Sequence, residues 1–82
     1  MYTVYAISSL SRDYIYVGLT SNLENRLMRH NKGYEKTTRP YRPFKLIYTE
    51  ECEDRKSARQ REKYLKSGVG KEMLRGINDR QS

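Results

Sequence analysis

The alternation of apolar and polar residues predicts two strands at the start of the chain. Residues 2–8 are rich in β-forming side chains, and in residues 14–20 aliphatic residues alternate with tyrosines and a glycine. The polar residues 9–13 between them are few enough for an antiparallel hairpin. A symmetric turn centred on Leu10 and Ser11 would place Tyr5 directly opposite Tyr16, on one face of the sheet.

A helix, a loop and a third strand are predicted to follow. Ser21 or Asn22 can cap a helix over residues 23–31, and Gly33 is suited to close it. Residues 35–43 contain two prolines and are interpreted as a loop, and residues 44–50 as a strand.

Helical structure is predicted for most of the remaining chain. Asp54 can cap a helix over residues 55–67 that stops at Gly68, and a short helical turn over residues 71–74 precedes a polar tail. The element order is β-β-α-β-α with a short C-terminal helix. It predicts an α+β fold, in which a small sheet is covered by helices.

Two polar residues fall near the apolar stripe of the first helix. At about 100° per residue, Leu23 and Leu27 mark that stripe. His30 lies within it and Arg26 at its edge. Taken singly, His30 would be an ordinary half-buried histidine and Arg26 a solvated charge with a packed stem.

The second helix has a carboxylate among its core-facing positions. Ala58, Leu65 and, if the helix extends that far, Val69 form the apolar stripe, and Glu62 lies inside it. Burying a carboxylate is costly unless it is paired or binds a metal. For an arbitrary helix, an ion pair with a nearby Arg or Lys would be the better interpretation.

Composition and charge narrow the class of protein. The 82 residues are interpreted as one domain spanning positions 1–82. The formal net charge of +7 favours a polyanionic partner, most often nucleic acid, over a membrane surface. A single cysteine, no zinc-type Cys/His spacing and no signal-like or membrane-spanning run suggest the cytoplasm.

Five of these polar residues together describe a phosphodiesterase site. One carboxylate can hold a Mg²⁺ ion that keeps several waters, and a guanidinium can neutralise charge at phosphorus. Two phenols with a nearby imidazole can position a water and accept its proton. The candidate residues are Tyr5, Tyr16, Arg26, His30 and Glu62.

Four segments of the chain resemble the motifs of the GIY-YIG nucleases. Residues 3–7 (TVYAI) and 16–20 (YVGLT) are similar to the paired motif that names the family. Residues 22–31 resemble its arginine- and histidine-bearing helix, and residues 59–66 resemble the segment that supplies its metal-binding glutamate. The resemblance extends from Tyr2 to about Leu74 and is closest to small bacterial members described as endonucleases.

The resemblance implies a fold and a reaction. The fold is a three-stranded antiparallel sheet flanked by helices, and the reaction is hydrolysis of DNA to 5′-phosphate and 3′-hydroxyl ends with one Mg²⁺ or Mn²⁺. Tyr5, assisted by His30, would activate water, and Tyr16 would position the nucleophile and the phosphate. Arg26 would stabilise the transition state, and Glu62 would hold the metal. Asn78 is a further candidate at a loose spacing.

Nucleic-acid contacts are expected from the basic loop of residues 36–45, from the glycine of the second motif and from a lysine of the second predicted helix. Basic groups would grip phosphates and a tyrosine could stack on an unpaired base, although an ordinary solvated loop explains the composition equally well. The candidates are Gly18, Lys36, Arg39, Tyr41, Arg42 and Lys66. Two rival hypotheses stay open: a non-catalytic nucleic-acid-binding module on the same fold, and a basic interaction protein without nucleic-acid function.

Overall fold

The computed structural model describes residues 1–81 and contains one three-stranded antiparallel sheet. Its strand order is β2-β1-β3. The strands are β1 (Tyr2–Ser9), β2 (Ile15–Thr20) and β3 (Phe44–Cys52). The helices are α1 (Leu23–Lys32), a 3-10 helix (Arg39–Tyr41), α2 (Arg55–Lys66) and α3 (Gly68–Gln81). The α+β class and the three-stranded antiparallel sheet are therefore confirmed. Within residues 1–81, no helix combines the length and the apolar character needed to cross a membrane.

Polar residues next to helix ends act as the caps that the sequence predicts. The Asn22 side chain accepts a hydrogen bond from the backbone N–H of Asn25, and the Asp54 side chain accepts one from Ser57. Gly33 ends α1 with a φ of 81°, a left-handed conformation that favours glycine. These caps fix where α1 and α2 begin and where α1 turns into the loop.

The predicted hairpin register is wrong by two residues. Tyr5 lies opposite Gly18, and Tyr16 lies opposite Ile7. The turn is not centred on Leu10 and Ser11, because the Ser9 side chain accepts hydrogen bonds from the backbone N–H groups of Ser11 and Arg12 and so shifts the bend along the chain. A two-residue shift keeps side chains on the same face, so Tyr5 and Tyr16 are diagonal neighbours.

The sheet separates two cores of different composition. The aliphatic face, covered by α2 and α3, comprises Val4, Ala6, Ile15, Val17, Ile47, Cys52, Ala58, Leu65 and Leu74. The aromatic face, against which α1 packs, comprises Tyr5, Ile7 and Phe44, with Tyr14, Tyr16, Leu23, Leu27 and Tyr41 around them. The central strand β1 contributes alternate residues to both faces.

The C-terminal helix is longer than predicted. Residues 71–74 were expected to form a single helical turn before a polar tail, but α3 is a 14-residue helix. Its inner side buries Gly70 and Leu74 against α2 and the sheet, and this packing outweighs the low helix propensity of its glycines. The sequence places Val69 in the apolar stripe of the second helix only if that helix extends so far. It does not, because α2 ends at Lys66 and Val69 lies on α3, where it is 64% exposed.

Candidate active site

A chain of hydrogen bonds runs through the aromatic face from β1 to the loop after α1. The Tyr5 hydroxyl lies 2.8 Å from His30 Nε2, and His30 Nδ1 lies 2.8 Å from the Thr38 hydroxyl. All three side chains are buried. Burial of three polar groups is tolerated here because each has a hydrogen-bond partner.

The directions of these two hydrogen bonds depend on the tautomer of His30. The Thr38 hydroxyl donates to the backbone carbonyl of Glu35 at 3.4 Å, so it can accept a hydrogen bond from His30 Nδ1–H. In that tautomer, His30 Nε2 has a lone pair facing Tyr5 and can accept a hydrogen bond from the Tyr5 hydroxyl. Burial also lowers the pKa of His30, which keeps the ring neutral near pH 7.

The Tyr5 phenol is held in its protonated form. Burial raises its pKa well above the ordinary range, and the neighbouring Tyr16 raises it further. The Arg26 guanidinium lies beside the phenol and lowers the pKa, but it offsets only part of the rise. Tyr5 is therefore a protonated phenol near neutral pH and not a standing phenolate.

Tyr16 completes the ring-lined wall around His30. Its ring centroid lies 6.3 Å from that of Tyr5 and 5.1 Å from that of His30. Phe44 contacts the imidazole edge-on at 6.0 Å. Tyr16 is only half-buried, so part of its side chain is accessible to solvent, unlike those of Tyr5 and His30.

Gly18 is required by the position of the Tyr5 side chain. A Cβ atom at this residue would lie 2.7 Å from the Tyr5 hydroxyl oxygen and 3.0 Å from Cε2 of Tyr16. The absence of a side chain leaves the room in which the two phenols lie. This gives Gly18 a role inside the protein, whereas the sequence suggested close approach to a nucleic acid.

Glu62 lies on a different helix from Arg26 and His30. It is on α2, which packs against the aliphatic face, and its side chain is 17% exposed. Its ion-pair partner is Lys66, one helical turn later, at 3.5 Å. The arginine Arg26 and the imidazole of His30 are on α1, beside the aromatic face.

The side chains of residues 1–81 offer a divalent metal ion few ligands. Among residues 1–81 there is no group of three or more His, Cys, Asp or Glu side chains able to hold an ion. Mg²⁺ commonly uses one or two carboxylates and fills its other positions with water and substrate phosphate. The half-buried Glu62 carboxylate, with a single lysine near it, fits such a site.

The basic loop is more ordered internally than an ordinary solvated loop. Arg39 donates from Nε to the carbonyl of Gly33 at 2.8 Å, and Arg42 donates to the carbonyl of Arg39. Tyr41 stacks on Tyr14 with ring centroids 3.9 Å apart. Lys36, Arg39 and Arg42 are exposed, but one face of Tyr41 is already covered.

Sequence reasoning did not identify Thr38, and it gave Asn78 only as a candidate at a loose spacing. Thr38 was not a candidate, because a threonine in a loop eight residues after a histidine carries no periodic signal. Asn78 lies on α3 and donates from Nδ2 to the hydroxyl of Ser8 at 3.0 Å, which ties α3 to the end of β1.

Comparison with known proteins finds one matching family model and several similar proteins. The GIY-YIG catalytic domain matches residues 1–78. A UPF0213 protein of Clostridium perfringens is 39% identical over 67 residues, covering 80% of this chain and 72% of the relative. One of Staphylococcus haemolyticus is 34% identical, covering 80% and 82%. One of Desulfotalea psychrophila is 39% identical, and the match spans 63% of this chain but about half of the relative, 49%. No solved structure matches the chain.

Proposed function

The chain belongs to the GIY-YIG family, whose domains are of the nuclease type, and we propose that it is a divalent-metal-dependent endonuclease acting on DNA. The observation that carries this proposal is the buried hydrogen bond from Tyr5 to a neutral His30, with Arg26 beside the phenol. A protein that only binds nucleic acid has no need for a buried proton acceptor behind a tyrosine.

The relay can remove a proton from an attacking water. A water in front of Tyr5 gives a proton to the phenol oxygen while the phenol gives its own proton to His30 Nε2. The water oxygen forms a bond to phosphorus, and the bond from phosphorus to the 3′ oxygen breaks. The leaving 3′ oxygen takes a proton from a solvent water, so the products are a 5′-phosphate and a 3′-hydroxyl. His30 later returns the proton that it received to solvent through Tyr5, which restores the proton balance.

Arg26 and Tyr16 act on the phosphate. The Arg26 guanidinium is always charged and is close enough to Tyr5 to influence its pKa, so it can pair with a phosphate that the activated water attacks. The half-buried Tyr16 hydroxyl can position the water or a phosphate oxygen from the solvent side.

Glu62 is the residue that would hold Mg²⁺ or Mn²⁺. Its carboxylate is half-buried and has one lysine partner at 3.5 Å, so an oxygen remains available for a cation. A bound divalent ion supplies positive charge that stabilises the leaving 3′ oxygen. The exposed Lys36, Arg39 and Arg42 would contact the DNA backbone away from the cleaved bond.

One observation favours a second candidate function. Glu62 is on a helix of the aliphatic face, whereas Tyr5 and His30 lie on the aromatic face. If the carboxylate does not reach the phosphate held by Arg26, the domain would bind nucleic acid without cutting it.

Nicking of supercoiled plasmid, with Mg²⁺ or Mn²⁺ and with EDTA, tests the proposal. We expect metal-dependent nicking by the wild type and its loss in Glu62→Gln, Arg26→Ala and Tyr5→Phe. The matched controls Glu72→Gln and Arg80→Ala remove an exposed carboxylate and an exposed arginine of α3 and should cut normally. Binding without nicking on plasmid, branched and single-stranded DNA alike would support the binding module instead. Equal nicking by wild type and Glu62→Gln would rule out the metal role of Glu62.

A further inference from the structure

We propose that Thr38 is a positioning residue that fixes the tautomer of His30 so that Nε2 accepts the proton of Tyr5. The inference concerns the site of the proposed nuclease and rests on that function for its catalytic meaning. It assigns a task to a buried threonine in the loop after α1. The direct observation is the 2.8 Å contact between the Thr38 hydroxyl and His30 Nδ1.

A neutral imidazole has one N–H and one lone pair, and its neighbours decide which nitrogen carries which. Tyr5 cannot decide, because its hydroxyl can either donate to Nε2 or accept from it. Thr38 could also do both in isolation. The difference is that the Thr38 hydrogen is already used, since its hydroxyl donates to the Glu35 carbonyl.

The Glu35 carbonyl is held in place by its surroundings. It accepts hydrogen bonds from the backbone N–H groups of Thr38 and Arg39, at 3.2 and 3.0 Å, in addition to the Thr38 hydroxyl. The side chain of the same residue pairs with Arg29 of α1 through a contact of 2.6 Å. The turn over residues 35–39 is thus tied to the helix that carries His30.

The tautomer of His30 therefore decides whether the imidazole can receive the phenol proton of Tyr5. With its proton on Nδ1, His30 presents a lone pair to Tyr5 and can receive the phenol proton. With its proton on Nε2, His30 would donate to the Tyr5 oxygen and could not accept from it. Loss of the Thr38 hydroxyl would leave Nδ1–H without its acceptor in a buried place, which favours the second tautomer.

The ring nitrogens of His30 can be observed directly. His30 is the only histidine of the chain, so the ¹⁵N signals of its side chain need no assignment by mutation. Their chemical shifts distinguish a protonated from an unprotonated nitrogen. We expect the wild type at pH 7.5 to carry the proton on Nδ1, and Thr38→Val, which keeps the shape and removes the hydroxyl, to carry it on Nε2. Thr38→Ser should restore the wild-type pattern.

Tyr5→Phe separates the two possible controllers of the tautomer. If Thr38 controls it, Tyr5→Phe keeps the proton on Nδ1. A proton on Nε2 in the wild type, an unchanged tautomer in a folded Thr38→Val, or a shift to Nε2 in Tyr5→Phe would each overturn the proposal. The wild-type and Tyr5→Phe measurements decide the matter even if the valine variant does not fold.

Cleavage adds the readout that depends on the proposed function. With a wild type that cuts DNA, Thr38→Val should lower the rate by about 10–100-fold, as for the loss of other groups that orient a functional histidine. Thr38→Ser should retain most of the rate. A wild type that has the expected tautomer but cuts no DNA would contradict the nuclease function and leave the control of His30 by Thr38 supported.

Discussion

The two faces of β1 carry side chains of opposite kinds within the same eight residues. On the aliphatic face, Val4, Ala6, Leu65 and Leu74 belong to one cluster of buried apolar side chains. On the aromatic face, Tyr5 meets His30 through a hydrogen bond, and the imidazole continues to Thr38. Both faces are equally closed to solvent, since all these residues are at most 1% exposed.

The difference predicts that the aliphatic face mainly stabilises the fold, whereas the aromatic face carries the proposed chemistry. Apolar burial stabilises a fold in proportion to the area removed from water, and it needs no particular orientation. A hydrogen-bonded chain contributes less net free energy, but it fixes the position and protonation of each member. In a chain of 82 residues with 35% hydrophobic content, the aliphatic face must supply most of the stability that keeps the relay in place.

Removing a large side chain from the aliphatic face should have the largest effect. Leu65→Ala would leave a cavity beside Ala6 and Leu74, and we expect it to lower the free energy of unfolding by about 2–5 kcal/mol. Urea denaturation followed by circular dichroism measures this. The control Val69→Ala removes an exposed valine and should change stability by about 0.5 kcal/mol or less. Equal losses in the two variants would mean that the aliphatic face is not the main source of stability.

The aromatic face should respond in rate more than in stability. In Gly18→Ala the new methyl group would lie 2.7 Å from the Tyr5 hydroxyl, so the tip of that side chain must move away from His30. A misplacement of about 1 Å can cost about 10²-fold in rate, and we expect a loss of that size in plasmid nicking. The free energy of unfolding should fall by about 0.5–1.5 kcal/mol, because moving the buried phenol away from His30 loses one hydrogen bond. Wild-type nicking by Gly18→Ala would show that the position of the phenol is not critical.

Much of the fold could be predicted because local signals and tertiary packing agree. The caps at Asn22, Gly33 and Asp54 are short-range features, and the alternation in β1 and β2 separates their faces. The hairpin register was predicted wrongly because the side chain of Ser9 shapes the turn, which composition does not reveal. The length of α3 was missed for the opposite reason: its sequence is a poor helix former, and packing of Leu74 supplies the missing stability.

The candidate site was only partly accessible to sequence reasoning. Helical periodicity predicts that His30 and Arg26 lie towards the sheet. The alternation of side chains in β1 and β2 predicts that Tyr5 and Tyr16 share one face. Thr38 could not be found in this way, because its contact with His30 depends on the path of a loop. The catalytic and metal-binding roles of all these residues stay predictions until the variants are measured.

Gly70, on α3 where it meets α2, differs from Gly18 in what an added methyl group would contact. In Gly70→Ala the new Cβ would lie 2.5 Å from Cα of Leu65, where α2 and α3 meet. Backbone cannot move aside as a side-chain tip can, so we expect a loss of about 1–3 kcal/mol in unfolding free energy. Gly76→Ala is the matched control on the same helix. Apart from the neighbouring backbone of its own helix, no atom of residues 1–81 lies within 4 Å of the new methyl group, and this variant should stabilise the protein by about 0.5–1 kcal/mol.

The smallest effect should come from titration of the aromatic face. The pKa of His30 is lowered by its burial. Glu35 opposes this shift, and Arg26 and Arg29 lower the pKa further. The rings of Tyr5 and Tyr16 face the imidazole from the sheet. The folded state therefore binds its proton at a lower pH than the unfolded chain, whose histidine titrates near 6.5. The stability associated with neutral His30 is complete above about pH 7.5, begins to decrease near 6.5, and is lost as the pH falls through the lower pKa of the folded state.

Urea titrations at pH 7.5, 6.5 and 5.5 should detect this loss. One group can contribute a slope of at most about 1.4 kcal/mol per pH unit. The lowered pKa values of Glu35, Glu50 and Asp54 act at more acidic pH, below their ordinary range, so they do not enter this window. His30→Gln should be less stable than the wild type at pH 7.5 and should show a flatter dependence between pH 7.5 and 5.5. An equally steep dependence in His30→Gln would place the titrating group elsewhere and would remove the distinction between a titratable aromatic face and an inert aliphatic one.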